Sequence, residues 1–221
     1  MDLSFIVPVY NQKNSIAYAC DALEHVAKNV NLKCEILLCD DASQDGSTEV
    51  VREISARRWM IKEILHKRHQ GFGETFRELL KESQGTIVIY LDPTLPFDID
   101  HFSAILAKIR NRDIVVASRF VGDKNLKNVK IGLSSRIYQF LSKVFLNVDI
   151  QDLESAMVLM RREKVIDLTL RAKEKGIFPE MYALARHKDL IIKEVTVDLR
   201  RNQKIPHPSV SFKDFIDLLT T

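Results

Sequence analysis

An α/β fold, with a mostly parallel central sheet flanked by helices, is what this sequence predicts. Short apolar runs alternate with stretches whose apolar residues recur at three- and four-residue steps, the rhythm of repeated βα units. Two of these runs, ILLC at 36–39 and IVIYL at 87–91, are apolar at every position, as strands covered on both faces require. Both break off into carboxylates, Asp40 and Asp41 after the first and Asp92 after the second. In open α/β sheets ligands bind beyond the carboxyl ends of the strands.

Residues 3–11 form a strand that Pro8 interrupts. Proline lacks a donor and fixes φ, so the chain leaves the sheet near Val9 and presents Tyr10 and Asn11 in a loop. Residues 15–28 carry Ile16, Ala19, Cys20, Leu23, Val26 and Ala27 at helical spacing. The helix makes the strand at 36–39 parallel to the first. The ASQDGS turn follows, and Ser47 or Thr48 suits the cap of a helix through 49–56 with Val50, Val51 and Ile54 inward. At the turn Asp40 and Asp41 either cap and solvate the backbone or meet a ligand or metal.

A short strand at 60–66 precedes Gly71 and Gly73, which allow close backbone approach to a ligand at the start of a helix over 74–83. His66 and His69 have no partner nearby in sequence and read as structural or solvent-facing. Gly85 ends that helix, and the strand at 86–91 delivers Asp92, either as a ligand for a hard cation or as an acceptor within its proline turn. A helix over 99–110 and a strand over 113–119 follow, ending in Ser118 and in Arg119, whose guanidinium suits a phosphate. Beyond 120 the rhythm breaks. A polar loop (121–130), an amphipathic helix with Arg136 (131–144) and an acidic turn with a strand (149–160) come first. Helices at 162–172 and 178–186, a strand at 191–199 with antiparallel character, a basic loop (204–208) and a closing helix (212–219) complete the chain.

At 221 residues, 46% hydrophobic and 29% charged, the chain can bury a full core. Its net charge of +3 is too small to argue for nucleic acid. Between 108 and 143, however, Lys and Arg outnumber Asp and Glu nine to two. That stretch is either a solvated face or a surface for an anionic substrate or acidic membrane. Cys20, Cys34 and Cys39 show no metal spacing and read as core residues of a reducing compartment. No apolar run reaches the ~18 residues of a membrane span, and the chain opens on a strand. The expectation is a cytoplasmic protein with at most peripheral membrane contact.

The segments FIVPVYN, LLCDDASQDGST, GFGETF, IVIYLDPTLP, DIVVASRF, DLESAMVLMRRE and KEVTVDLRRN follow one another in the order and spacing of family 2 glycosyltransferases. The chain most resembles their dolichyl-phosphate mannose or glucose synthase branch, over nearly its whole length. The resemblance implies a GT-A fold in a single domain, with 1–119 as the nucleotide-sugar-binding half and 120–221 as the acceptor-side half. It implies transfer of a sugar from a GDP- or UDP-linked donor to an acceptor such as a polyprenyl phosphate, and leaves the oligomeric state open.

Residue by residue, Pro8, Tyr10, Asn11 and Asp41, with Asp40 beside them, match positions that hold the nucleotide base and ribose. Gly71 and Gly73 match the glycine loop, and Asp92 matches the first acid of the Asp-any-Asp metal motif. Arg119 and Arg136 match phosphate-contacting arginines, Asp152 with Ser155 the acidic acceptor segment, and Arg201 the arginine of the terminal basic loop. The catalytic candidates are therefore Asp92, Asp152, Arg119 and Arg136. Mg²⁺ or Mn²⁺ is the implied cofactor, but Thr94 stands in place of the second acid. A metal would then rest on Asp92 and the donor diphosphate. The rival reading is a binding module that keeps the nucleotide pocket without transfer, as a sensor or partner subunit.

Overall fold

The computed structural model describes residues 1–98, 100, 102–118, 150–197 and 200. The chain begins with β1 (Leu3–Val9), α1 (Lys13–Asn29), β2 (Cys34–Asp40), α2 (Ser47–Arg57), β3 (Ile61–Leu65), α3 (Phe72–Glu82) and β4 (Ile87–Leu91). Next come α4 (Phe102–Leu106), a 3-10 turn (Ala107–Ile109) and β5 (Ile114–Ser118). The last described elements are β6 (Met157–Arg161), α5 (Arg162–Val165), α6 (Ile177–His187) and β7 (Ile192–Thr196).

The strands form one sheet in the order β3-β2-β1-β4-β6-β5-β7. β1 pairs in parallel with β2 and with β4, and β2 pairs in parallel with β3. The chain thus steps outward from β1 to β3 and returns past β1 to β4. The order reverses between β1 and β4, the switch point where a crevice opens at the carboxyl ends. β6 inserts antiparallel between β4 and β5.

All seven residues of β1 and of β2 are buried, because the sheet is covered on both faces and the side chains alternate between them. Phe5, Val7, Ile36 and Leu38 pack with Ile16 and Leu23 of α1 and Val51 of α2. Ile6, Leu37, Cys39 and Tyr90 pack on the opposite face with Phe76 and Leu79 of α3 and Phe178 and Tyr182 of α6. Each large side chain so buried contributes ~2 kcal/mol.

Several elements differ from the sequence expectation. β7 runs parallel to β5, because α6 carries the chain back to the end where β5 begins, and the Asp113 and Ile114 amides both reach the Ile191 carbonyl. The helix expected over 162–172 is confined to Arg162–Val165. Leu168, Leu170 and Ala172 are buried at every second position, a two-residue period that a helix cannot satisfy. The stretch expected as a helix over 99–110 holds α4 and the 3-10 turn. Neither Ser47 nor Thr48 caps α2. Gly46 takes that position at φ 93° without a side-chain cap, and both hydroxyls are used elsewhere, as described below. The loop 121–130, the helix 131–144, the loop 204–208 and the helix 212–219 lie outside the described residues. Among the described residues no helix is long and apolar enough to cross a membrane.

Candidate active site at the switch point

The crevice between β1, β2 and β4 holds a cavity of about 240 Å³ whose walls include Pro8, Tyr10, Asp41, His69, Tyr90 and Asp92. Each wall residue follows from the chain's path. Pro8 lies within β1 opposite Cys39, one residue before the strand ends at Val9; Asp41 follows β2, and Asp92 follows β4.

Asp41 is the organising group. Its N–H donates to the Val9 carbonyl at 2.9 Å, which holds it beside β1. Its carboxylate, 3% exposed, accepts from the Gln70 and Gly71 amides at 2.8 and 2.9 Å. His66 Nδ1 lies 2.7 Å from one oxygen and His69 Nδ1 2.8 Å from the other. One carboxylate thus folds the whole 66–71 loop against the end of β2. His66 is buried too, and its Nε2 lies 2.7 Å from Glu78 of α3. Burial alone would lower the His66 pKa, but the hydrogen bonds and charges of Asp41 and Glu78 outweigh it and hold the pKa above its ordinary value. His69, half-exposed, stacks on Tyr10 with ring centroids 4.3 Å apart. The pair forms an aromatic ledge at the cavity mouth, suited to a planar ring.

Asp92 is a second acid that lines the cavity. Its amide donates to the Ala156 carbonyl on the chain leading into β6. Thr94 donates to Asp92 Oδ1 twice, from its amide at 2.9 Å and from its hydroxyl at 2.6 Å. Both hydrogen bonds fall on one oxygen, and among the described residues Oδ2 receives none. Thr94, where a second acid is expected, therefore orients Asp92 and supplies no charge.

Other residues singled out from the sequence have different employments. Asp40 is fully buried and does not line the cavity. Its oxygens accept from the Ser43 amide and hydroxyl and from the Thr48 hydroxyl, so it closes its own turn. Asn11 does the same across the loops, accepting from the Gln44 amide while its own amide donates to Ser43 Oγ. Ser47 Oγ donates to Asp45 and accepts from the Gln12 amide, tying the two loops together. Gly71, at φ 95°, and Gly73 were expected to admit a ligand. The close neighbour is instead the chain itself, since a Cβ on Gly73 would lie 2.0 Å from the Ala172 carbonyl oxygen. The Gly73 amide donates to the Lys173 carbonyl at 2.6 Å. Ser155 is buried, donating to the Ala117 carbonyl and accepting from the Met157 amide at 3.1 Å. It joins the end of β5 to the start of β6. Asp152 is also buried, and its amide is held by Glu194 of β7. Arg119, Arg136 and Arg201 lie outside the described residues.

The sequence reading missed His66 and His69 as partners of Asp41, and Glu174 and Lys175 as part of the cavity wall. Glu174 and Lys175 reach it because the 171–175 stretch is pinned to α3 and to α6. Arg77 donates to the Ala172 carbonyl at 2.8 Å, and Glu180 accepts from the amides of Arg171 and Ala172. A signal was available only in the alternation of Leu168, Leu170 and Ala172, which argues for extended chain.

A family model described as Glycosyl transferase family 2 matches residues 4–169. The chain belongs to that family. Dolichol-phosphate mannosyltransferase of Pyrococcus furiosus is 23% identical over 205 residues, which cover 90% of this chain and 57% of that protein. A mannosyltransferase from Pyrobaculum calidifontis, solved with GDP-Man and Mn²⁺, superposes with a TM-score of 0.61 at 13% identity over 93% of this chain and 58% of that one. Glucosyl-3-phosphoglycerate synthase from Mycobacterium tuberculosis, solved with Mn²⁺, UDP-Glc and phosphoglyceric acid, gives 0.67 at 18% identity over 99% and 79%. The family 2 chain therefore has the GT-A fold that its motifs implied. It spans between 33% and 57% of the length of the curated relatives it matches.

Proposed function

We propose that this family 2 chain transfers a sugar from a GDP- or UDP-linked donor to an acceptor, with a polyprenyl phosphate as the acceptor class. The observation that carries the reading is the convergence of Asp41 and Asp92, from the ends of different strands, on one cavity with an aromatic ledge at its mouth. In this reading the base and ribose lie along Pro8, Tyr10 and the Asp41 loop, and the diphosphate points towards Asp92. The named activity of the Pyrococcus relative supports the acceptor class.

The residues present fit a hard divalent cation only in part. Asp92 lines the cavity and has one carboxylate oxygen that takes no hydrogen bond from the described residues, whereas Mg²⁺ or Mn²⁺ takes about six oxygens. Asp92 would hold the ion together with the donor diphosphate, and the ion, when bound, would supply charge neutralisation for the leaving group. The chain's own part is to fix geometry. Thr94 sets the Asp92 carboxylate, Asp41 sets the loop that carries His69, and Lys175 places an ammonium on the wall that a diphosphate would meet. A phosphate acceptor is already anionic and needs no base. A hydroxyl acceptor would need one, for which Asp152 is the sequence candidate.

Nucleotide release from GDP-mannose and UDP-glucose, with Mn²⁺ and with and without a polyprenyl phosphate, tests the reading. Release that rises with the lipid and falls at least ~100-fold in Asp92→Asn supports it, the size expected when a charge-stabilising group is lost. Thr94→Asp should lower the Mn²⁺ concentration needed for half-maximal rate. Nucleotide binding without release or transfer would return the chain to the binding-module reading.

A further inference from the structure

Behind the Asp41 loop, on the far side of His66 from the cavity, three groups able to ligate a metal converge. Cys39 Sγ lies 3.5 Å from His66 Nε2, and Glu78 Oε2 lies 2.7 Å from the same nitrogen. The three ligand atoms all lie within 4.8 Å of one another. They come from β2, the segment after β3, and α3, so the contact is made by the fold and leaves no spacing signature in the sequence. Nε2 carries at most one proton, so it can donate to Glu78 or accept from the Cys39 thiol, but not both at once.

We propose that Cys39, His66 and Glu78 form a zinc site, with Asp41 orienting the imidazole through Nδ1. Four observations carry it. A tetrahedral zinc with Zn–S ~2.3 Å and Zn–N ~2.0 Å separates sulfur from nitrogen by ~3.5 Å, the separation found here. The same geometry separates nitrogen from oxygen by ~3.4 Å, so Glu78, on its flexible stem, needs to withdraw by only ~0.7 Å. The His66 Nδ1 to Asp41 contact of 2.7 Å is the carboxylate–histidine pairing that fixes a ligating imidazole as the Nε2 base. Sulfur, nitrogen and carboxylate together select zinc over the hard cations of the donor site.

Charge and access agree. Cys39 is fully buried while the Glu78 side chain is 36% exposed, which gives the ion an entry from the α3 surface and room for a water as fourth ligand. On binding, the Zn–S, Zn–N and Zn–O bonds form while the Cys39 thiol proton and any proton on Nε2 leave to water. A thiolate and one carboxylate then neutralise the ion without an uncompensated buried charge. Burial, with the charges of Glu78, Asp41 and Asp40, pushes the Cys39 thiol pKa well above its ordinary value. The same negative surroundings favour a cation. The site would lock His66 behind Asp41, stiffening the loop that walls the cavity.

The test is Co²⁺ titration of the full chain after chelator treatment, followed optically, with Zn²⁺ added last. One Co²⁺ per chain with a thiolate-to-cobalt charge-transfer band, displaced by Zn²⁺, is expected. Cys39→Ser should remove the band, while Cys20→Ser and Cys34→Ser keep it. Glu78→Gln, at a partly exposed helix position that tolerates the change, should weaken Co²⁺ at least ~10-fold. Asp92→Asn should leave the band intact, which separates this site from the donor site. No charge-transfer band in the wild-type chain, or a band that survives Cys39→Ser, overturns the proposal.

Discussion

The two ends of β2 each carry a buried carboxylate, with opposite consequences. At the start of the strand, Glu35 accepts from Ser4 Oγ at 2.6 Å, Lys62 Nζ at 2.8 Å and the Gln84 amide at 2.8 Å. Its partners are the neighbouring strands β1 and β3 and the loop entering β4, and it does not line the cavity at the switch point. At the other end, Asp41 accepts from two amides of one loop and pairs with two imidazoles, on the wall of the cavity. Both side chains are about equally buried, at 2% and 3% exposed. Burial and satisfied hydrogen bonds therefore do not distinguish a structural acid from a site acid. The distinction lies in what the acid holds, sheet at one end and a cavity-forming loop at the other.

The comparison predicts its largest effect for Asp41→Ala. Removing the acceptor of two histidines and two amides should cost ~3–5 kcal/mol of stability, as for a broken buried pair, and abolish nucleotide binding. Urea unfolding and calorimetry measure the two. Next, Gly73→Ala should cost ~2–3 kcal/mol by driving the 172–173 backbone off α3, and it should also reduce nucleotide affinity, because Glu174 and Lys175 move with it. Glu35→Gln is the control at the structural end. It should cost ~1–2 kcal/mol at neutral pH and leave nucleotide affinity unchanged; an equal loss of affinity would erase the contrast between the two ends.

The acid limb sharpens that control. Burial would raise the Glu35 pKa, but the hydrogen bonds from Lys62, Ser4 and Gln84 outweigh it and hold the pKa below the ordinary 4.5. Its stabilisation is therefore complete above about pH 4.5 and is lost as the pH falls through the lower folded-state value. In Glu35→Gln the loss of stability over that window should be shallower than in the wild-type chain. The smallest effect is expected for Tyr10→Ala, which removes half of the ledge. Nucleotide affinity should fall ~5-fold, the equivalent of ~1 kcal/mol of lost stacking, with stability unchanged because Tyr10 is 44% exposed.

The sheet was readable because its physics is local. Runs apolar at every position, such as 36–39, identify strands buried on both faces, and the helices between them impose parallel order on β1 to β4. The direction of β7 was not readable, because it depends on where α6 returns the chain. The site was half-readable for the same reason. Asp41 and Asp92 follow strand ends, and position in the sheet assigns them to the crevice. The employment of Asp40, Ser155 and Gly73 as internal fastenings is decided by contacts with Thr48, Ala117 and Ala172. Only the fold brings those together. His66 and His69 looked partnerless because Asp41 and Glu78 lie on other elements.

Calorimetric titration of GDP and of UDP, with and without Mn²⁺, into the wild-type chain and Asp92→Asn tests most directly whether the Asp41 and Asp92 walls form one donor site. The account predicts that Mn²⁺ strengthens binding of at least one nucleotide by ~10-fold or more, ~1.4 kcal/mol, in the wild-type chain. In Asp92→Asn the metal enhancement should vanish while metal-free binding on the Asp41 side persists. Enhancement by Mn²⁺ that survives Asp92→Asn, or no binding of either nucleotide to the folded wild-type chain, would contradict it.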